Sequence, residues 1–383
     1  MRDAIEIQDA FITKIHITQV RHLQDVDIVL SDTERKHLIL TGKNGSGKTS
    51  LLEAMRNEIM RRQPRPRQQP WPPPGPVPPN LHAPITNLRA SITLSLPNSG
   101  LARVICAYVS TKRSEKQLPK AIEPLDISFP EKISIAQNVS EDFLKYIVFL
   151  DYQRSGAVAD GNAKLANRLN MWFDDFQAAL QEIYDCRELQ LQYDRQNLTV
   201  TVNMPGRMPF GLHEMADGYA ALLDIYMELL MRFEMLRSVV EYETPAIMLV
   251  DEIETHLHVE LQKRVLPFLT RMFPGTQFIV ATHSPFVITS LKNAVVFDLE
   301  KKERLENPSV YSYEAVVESY LDVGQYSDEM KKAFNGYKAL YEKERTAAEE
   351  AEFQRLIETL ALVPPASKEL YVAFRTMEDR RKR

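Results

Sequence analysis

Three short stretches of the chain carry residue types suited to handling a nucleoside triphosphate. The first is "GKNGSGKT", Gly42 to Thr49, which has the spacing G-x-x-x-x-G-K-[ST]. Glycines at 42, 45 and 47 free the backbone of Gly42, Lys43, Asn44, Gly45, Ser46 and Gly47 to turn its amides toward an anion, and Ser50 follows in the next turn. Lys48 is a point charge for the terminal phosphates, and the Thr49 hydroxyl suits Mg²⁺. The second stretch, "AIMLVDEIETHLH", ends an apolar run on Asp251-Glu252. In an open α/β sheet, ligands gather at the carboxyl ends of strands, so Asp251 is placed to hold Mg²⁺ and Glu252 to polarise an attacking water. The third, "TQFIVATHSPFVI", ends another apolar run at His283, whose ring N–H can donate to a γ-phosphate and so sense whether it is present.

A fourth stretch, "LHEMADGYAALLDIY", reads as a loop feeding a helix. Asp217 and Gly218 stand at that helix start, where glycine lets backbone amides approach a phosphate and the helix presents its positive end. His256-x-His258 has a metal-like look, but without nearby cysteine or suitable acidic spacing it points to an interface or structural role.

The elements that must position these groups are legible in outline. "FITKIHITQVRHLQDVDIVL" alternates as two half-buried strands, and "KHLILTG" is a short buried strand stopping on glycine. "KTSLLEAMRNEIMRR" is a helix with Leu51, Leu52, Met55 and Ile59 on one face. "LRASITLSL", "ARVICAYVS" and "LKYIVFLDY" suggest strands, a helix follows from about Ala163 to Tyr184, and "ELQLQYDRQNLTVTV" suggests a hairpin. Residues 61–80 hold nine prolines and are expected to be an exposed, extended excursion. Arg56, Arg61, Arg62, Arg65 and Arg67 crowd its start, either to meet phosphates or an acidic partner or as part of a solvated linker. Past 308 the chain turns helical and charged.

With 383 residues the chain accommodates a large α/β domain and a smaller one, and a net charge of −5 argues against coating nucleic acid through overall positive charge. A local patch for DNA or RNA stays open. Cys106 and Cys186 are the only cysteines and suggest neither a disulfide framework nor zinc, which fits a reducing cytoplasm. No apolar run has signal-peptide or membrane-spanning character, so a soluble, cytoplasmic protein without membrane attachment is expected.

The run "LVDEIETHLHVELQKRVLPFLTRMFPGTQFIVATHSPFVI" and the opening "ITKIHITQVRHLQDVDIVL" resemble the stand-alone ATP-binding-cassette (ABC) ATPases of the SMC/Rad50/RecF-like branch, classed with AAA proteins, which include OLD nucleases and Septu PtuA-like defence ATPases. The likeness covers residues 12–60 and about 210–300 well and the rest loosely. It implies an α/β P-loop NTPase head over 1–305, with a mixed β-sheet flanked by helices, a helical signature region at about 160–235, and a helical C-terminal appendage over 306–383 that docks a partner or packs on its own domain. It further implies a homodimer or higher homo-oligomer that sandwiches ATP and Mg²⁺, each ATP held by Gly42 to Ser50 of one copy and the Asp217-Gly218 signature of the other. Asp251 and Glu252 become the Walker B pair and His283 the switch histidine, so Lys48, Glu252 and His283 carry the hydrolysis. Ala216 stands where the signature serine belongs, and Val259 where a proline follows "HLH".

For the Q-loop, "FLDYQRS" offers Gln153 as a contact for Mg²⁺ and water, with Arg154 as a rival for phosphate and a polar strand end as the alternative to both. The function that the resemblance implies is ATP-driven control of a separate nuclease or toxin in antiviral defence or DNA-related processing. The alternative is an ATP-held clamp or scaffold with little hydrolysis. A transporter subunit fits less well, because Gly218 and Asp251 lie 33 residues apart.

Overall fold

The structure, a computed structural model, describes residues 10–62, 90–96, 104–110, 142–194, 197–235, 245–313, 315–316, 328–341, 343, 345–361 and 374–377. Nearly all of the proline-rich stretch and its arginines 65 and 67 lie outside these residues. The chain divides into two compact units, Met1–Val316 and Val317–Arg383.

In the first unit, apolar runs with no polar face form strands buried on both sides. These are β3 (His37–Thr41), β5 (Ile105–Val109), β9 (Ala246–Val250), β10 (Thr276–Ala281) and β11 (Ala294–Asp298), all but fully buried. With the edge strand β12 (Glu303–Glu306) they form one sheet in the order β12-β11-β3-β10-β9-β5. Every pairing in it is parallel except β11 with β12. The phosphate loop, the Asp-Glu pair and His283 therefore all leave the sheet at the carboxyl end of adjacent strands β3, β9 and β10.

The alternating opening stretch forms the hairpin β1 (Lys14–Val20) and β2 (Leu23–Val29), and β1 also pairs with β4 (Ser91–Ser95). Helix α1 (Lys48–Arg62) buries Leu51, Leu52, Met55 and Ile59 in the core that this small sheet shares with the large one. A third sheet contains β6 (Gln190–Asp194), β7 (Thr199–Asn203) and β8 (Phe210–Gly211), the first two being the expected hairpin.

One expected strand is a helix. "LKYIVFLDY" falls inside α2 (Phe143–Ala159), which buries Phe143, Leu144, Tyr146, Ile147, Leu150 and Asp151. That burial recurs every three to four residues, the helical period, and Phe143 and Tyr146 pack on Phe176 and Trp172 of α3 (Ala163–Tyr184). The apolar run satisfies strand composition equally well, and its length of 17 residues decides for a helix. The remaining helices of this unit are α4 (Asp217–Met235), α5 (Val259–Met272) and the single turn α6 (Pro285–Ile288).

The second unit contains helices Asp328–Tyr341 and Ala347–Ala361 around Tyr337, Phe353, Leu360 and Phe374. Thr346 and Glu349 form a reciprocal cap at the second helix, each side chain accepting from the other's backbone amide. No helix among the described residues is long and apolar enough to cross a membrane.

Candidate nucleotide site

The phosphate loop turns on three glycines with positive φ, +130° at Gly42, +85° at Gly45 and +100° at Gly47. A side chain at Gly47 would also press on Leu23 at 3.1 Å, and one at Gly42 on the Ser46 hydroxyl at 2.9 Å. Gly47 accepts the first helical bond of α1 from the Leu51 amide at 2.8 Å, so the loop ends on a helix N-terminus. Lys48 is buried, its Nζ donating to the carbonyls of Gly42 at 2.8 Å and Lys43 at 3.1 Å. Lys43, Asn44, Gly45 and Thr49 are exposed. The hydroxyls of Ser46 and Thr41 are buried without a hydrogen-bond partner among the described residues, a polar lining suited to phosphate oxygens.

Around Lys48 stand the carboxylates. Burial lowers its pKa, while Glu252, Glu254, Asp251 and Asp298, in decreasing order, hold its charge. Asp251 is buried at the end of β9, and its amide donates to the Val109 carbonyl of β5 at 2.9 Å. Glu252 has a left-handed backbone, φ 44°, a conformation that a non-glycine residue keeps only when its surroundings impose it. Those surroundings are on both sides: the Ile253 amide donates to Ala281 of β10 at 3.2 Å, and the Thr255 amide donates to the Glu252 carbonyl at 3.0 Å. Thr255 Oγ1 also approaches the Glu252 carboxylate at 3.4 Å.

His283 follows β10, half-buried. Burial and then Lys48 lower its pKa, against Glu254 and Glu252, which favours the neutral ring able both to donate and to accept. Its backbone amide donates to the Glu254 carboxylate at 2.5 Å. Ser284 caps α6 and donates from Oγ to Gln262 of α5 at 2.6 Å. Lys48, Asp251, Glu252 and His283, chosen from spacing alone, are thus joined by Glu254 and Asp298, which the motifs did not single out. Asp298 lies behind the loop, its carboxylate accepting from the amides of Glu300 and Lys301 at 2.8 and 3.0 Å. Only the nearness of Glu254 to the Asp-Glu pair in "DEIE" hinted at it.

The oxygen chemistry of this set fits a hard divalent cation: Thr49, Asp251 and Glu252 offer only oxygen donors. The amides of the glycine loop fit polyphosphate.

The signature stretch packs on the same chain. Ala216 accepts from the amides of Tyr219 and Ala220 at 2.9 and 3.0 Å, so it is the N-cap of α4, and it has no side-chain oxygen to cap with. Ala216 and Asp217 are exposed. A side chain at Gly218 would meet the His256 carbonyl at 2.9 Å and the His258 amide at 3.7 Å. Gly218 therefore has a packing reason that needs no nucleotide: it lets α4 touch the loop that follows β9. In that loop His256 has φ 67°, and Val259 is the first residue of α5, a position that suits proline but does not require it.

Gln153 stands elsewhere than expected. It lies within α2, not at a strand end, and the strand whose carboxyl end adjoins Asp251 is β5. Its neighbour Arg154 pairs with Asp151 and lies 4.3 Å over the Phe173 ring, so Arg154 belongs to the packing of the helical layer. The strand end expected to present Gln153 to Mg²⁺ is thus a helix.

Residues 103–289 match the family described as "AAA domain, putative AbiEii toxin, Type IV TA system". The chain is 25% identical over 275 residues to the "Retron Ec83 probable ATPase" of Escherichia coli, covering 67% of this chain and 47% of that protein. It is 23% identical over 316 residues to "Septu protein PtuA" of Bacillus mycoides, covering 77% of this chain and 41% of that one. It thus matches less than half the length of these curated relatives. An SMC head domain from Thermotoga maritima superposes at 16% identity with a TM-score of 0.37, covering 75% of this chain and 94% of that one. By its phosphate loop and its strand order the chain has the α/β fold of a P-loop nucleotide-binding head, and it is similar in sequence to the AAA-domain family over residues 103–289, to the retron ATPase and to Septu protein PtuA.

Proposed function

We propose that the chain binds ATP at Gly42–Ser50 and hydrolyses it, with Glu252 as the base for the attacking water. The observation that carries this reading is the convergence of Lys48, Asp251, Glu252 and His283 on one electrostatic neighbourhood at the strand carboxyl ends. The loop amides and Lys48 take up charge on the phosphates. Thr49 and Asp251 would hold Mg²⁺, which supplies further charge neutralisation when bound. The backbone at Glu252 sets the direction in which its side chain leaves the turn, and neutral His283 can donate to the γ-phosphate.

The exposed start of α4, Ala216 and Asp217, is available to a second copy, which supports an ATP sandwich between two chains. The relatives' names, a retron probable ATPase and a Septu protein, support the ATPase reading, and the family resemblance of the sequence motifs adds a defence role in which the ATPase acts on a separate nuclease or toxin. The second reading, a clamp with slow turnover, is favoured by Ala216, which lacks the hydroxyl of the usual signature.

Single-turnover hydrolysis by the purified chain, with and without DNA, separates the two, with Glu252→Gln as control. Turnover that depends on Glu252 supports the enzyme, and its absence leaves only the clamp. Mass measurement with and without ATP tests the sandwich, and an ATP-independent mass would overturn it.

A further inference from the structure

The amide of His283 is past the end of the sheet. Strand β10 ends at Ala281, the Thr282 amide donates to Leu40 of β3 at 3.0 Å, and the Ser284 amide donates to the Thr282 hydroxyl at 2.9 Å. Between them, the His283 amide donates to Glu254 Oε1 at 2.5 Å, a charge-assisted bond. Glu254 is itself held. Its carbonyl accepts from the Leu257 amide at 2.8 Å, and the preceding residue, Ile253, is fully buried with its amide bonded to Ala281. The second oxygen, Oε2, is buried with no hydrogen-bond partner among the described residues, so the carboxylate is not there to satisfy a crowd of donors.

The geometry points to Glu254 as a positioning residue: its carboxylate grips the His283 amide and fixes the imidazole relative to Glu252, two residues away on the same turn. Glu252, Ile253 and Glu254 then form a rigid bridge with one end at the water-activating carboxylate and the other at the switch histidine. A displacement of His283 is carried through Glu254 and Ile253 to the left-handed backbone of Glu252. This inference rests on the ATPase reading.

The experiment is single-turnover ATP hydrolysis by the full chain, with ATP affinity measured in parallel, for wild type, Glu254→Asp, Glu254→Gln, Glu254→Ala, His283→Ala and the Glu254→Ala/His283→Ala pair. Asp keeps the charge but falls one methylene short of the amide, and Gln keeps an acceptor oxygen. Loss of a hydrogen bond to a charged group slows turnover about 10- to 100-fold in the Asp and Ala variants, at unchanged ATP affinity, while Gln retains most of the rate. In the His283→Ala background Glu254→Ala adds no further loss, because both changes remove the same positioned ring. Amide exchange at residue 283 loses protection in Asp and Ala and keeps it in Gln. Should Glu254→Ala fail to fold, the Asp variant carries the same expectation.

Additive losses in the double variant, or a wild-type rate in the Asp variant, overturn the proposal and leave the ATPase reading intact. Absence of Glu252-dependent turnover in the wild-type chain overturns both.

Discussion

The two ends of the central sheet are built to opposite rules. At the amino end, buried polar groups are paired almost to completion. Gln277 accepts from the Ile12 amide at 2.7 Å and donates to the carbonyls of Ile12 and Lys36 at 2.9 and 2.8 Å. His37 accepts from the Phe278 amide at 3.1 Å, and Arg35 donates to the carbonyls of Gly275 and Pro274. The Thr276 hydroxyl is the exception there. At the carboxyl end, a few residues farther along the same strands, lie a buried lysine, a left-handed glutamate, and the unpartnered hydroxyls of Thr41 and Ser46. Satisfied groups stabilise the fold, while unsatisfied and strained ones are kept where a ligand can answer them. One end is therefore expected to govern stability and the other turnover.

The largest effect expected is at the carboxyl end. Lys48→Met keeps the side-chain volume but removes the charge, and should slow single-turnover hydrolysis on the order of 10³-fold while leaving the urea midpoint nearly in place. A large fall in the midpoint would break the division between the ends. Gln277→Leu is the opposite test. It leaves one amide and two carbonyls unpaired in the core, so it should cost about 3–4 kcal/mol in urea unfolding, with little change in turnover per folded molecule.

Next comes acid. Burial, and then the charge of Arg35, push the His37 pKa from 6.5 down to about 4. The fold thus favours the neutral ring, and its contribution is complete above pH 6.5 and lost as pH falls through 6.5 toward 4. The loss is about 3 kcal/mol at most. His37→Gln keeps an acceptor for Phe278, and the slope of unfolding free energy against pH between 6.5 and 4 should flatten; an unchanged slope would place the titration elsewhere.

Smaller effects concern α4, where packing and ligand roles overlap. Gly218→Ala should destabilise the nucleotide-free chain by about 1–2 kcal/mol, through contact with the His256 carbonyl. An unchanged melting temperature, with weaker ATP-dependent association, would return Gly218 to a purely phosphate-facing role. Ala216→Ser should stabilise α4 by about 1 kcal/mol with or without ATP, because serine is a better N-cap. Only a gain in ATP-dependent dimerisation beyond that amount would report a missing phosphate contact.

Motif spacing singled out Asp251, Glu252 and His283 because each follows the end of a buried strand, where an apolar run meets polar residues, and Lys48 because it opens α1 after the glycine loop that leaves β3. The hairpin of β6 and β7 and the bounds of α3 were equally readable, from alternation and from a long helical period. The segment 143–159 was not, since its apolar residues suit either element and helix α3 supplies the face that decides. With it went Gln153, whose candidacy depended on a strand end.

Sequence alone determined which residues are candidates for phosphate handling and their order along the chain, since loop glycines, a lysine and paired acids are set by local spacing. Tertiary structure decided which strands are neighbours, that β5 flanks the strand of Asp251, that residue 153 lies in a helix, that Glu254 holds the amide of His283, and that Gly218 touches the loop after Glu252. The reason is physical. A spacing records what one segment can do by itself, whereas a carboxylate 29 residues from the amide it binds is brought there only by the closing of parallel strands.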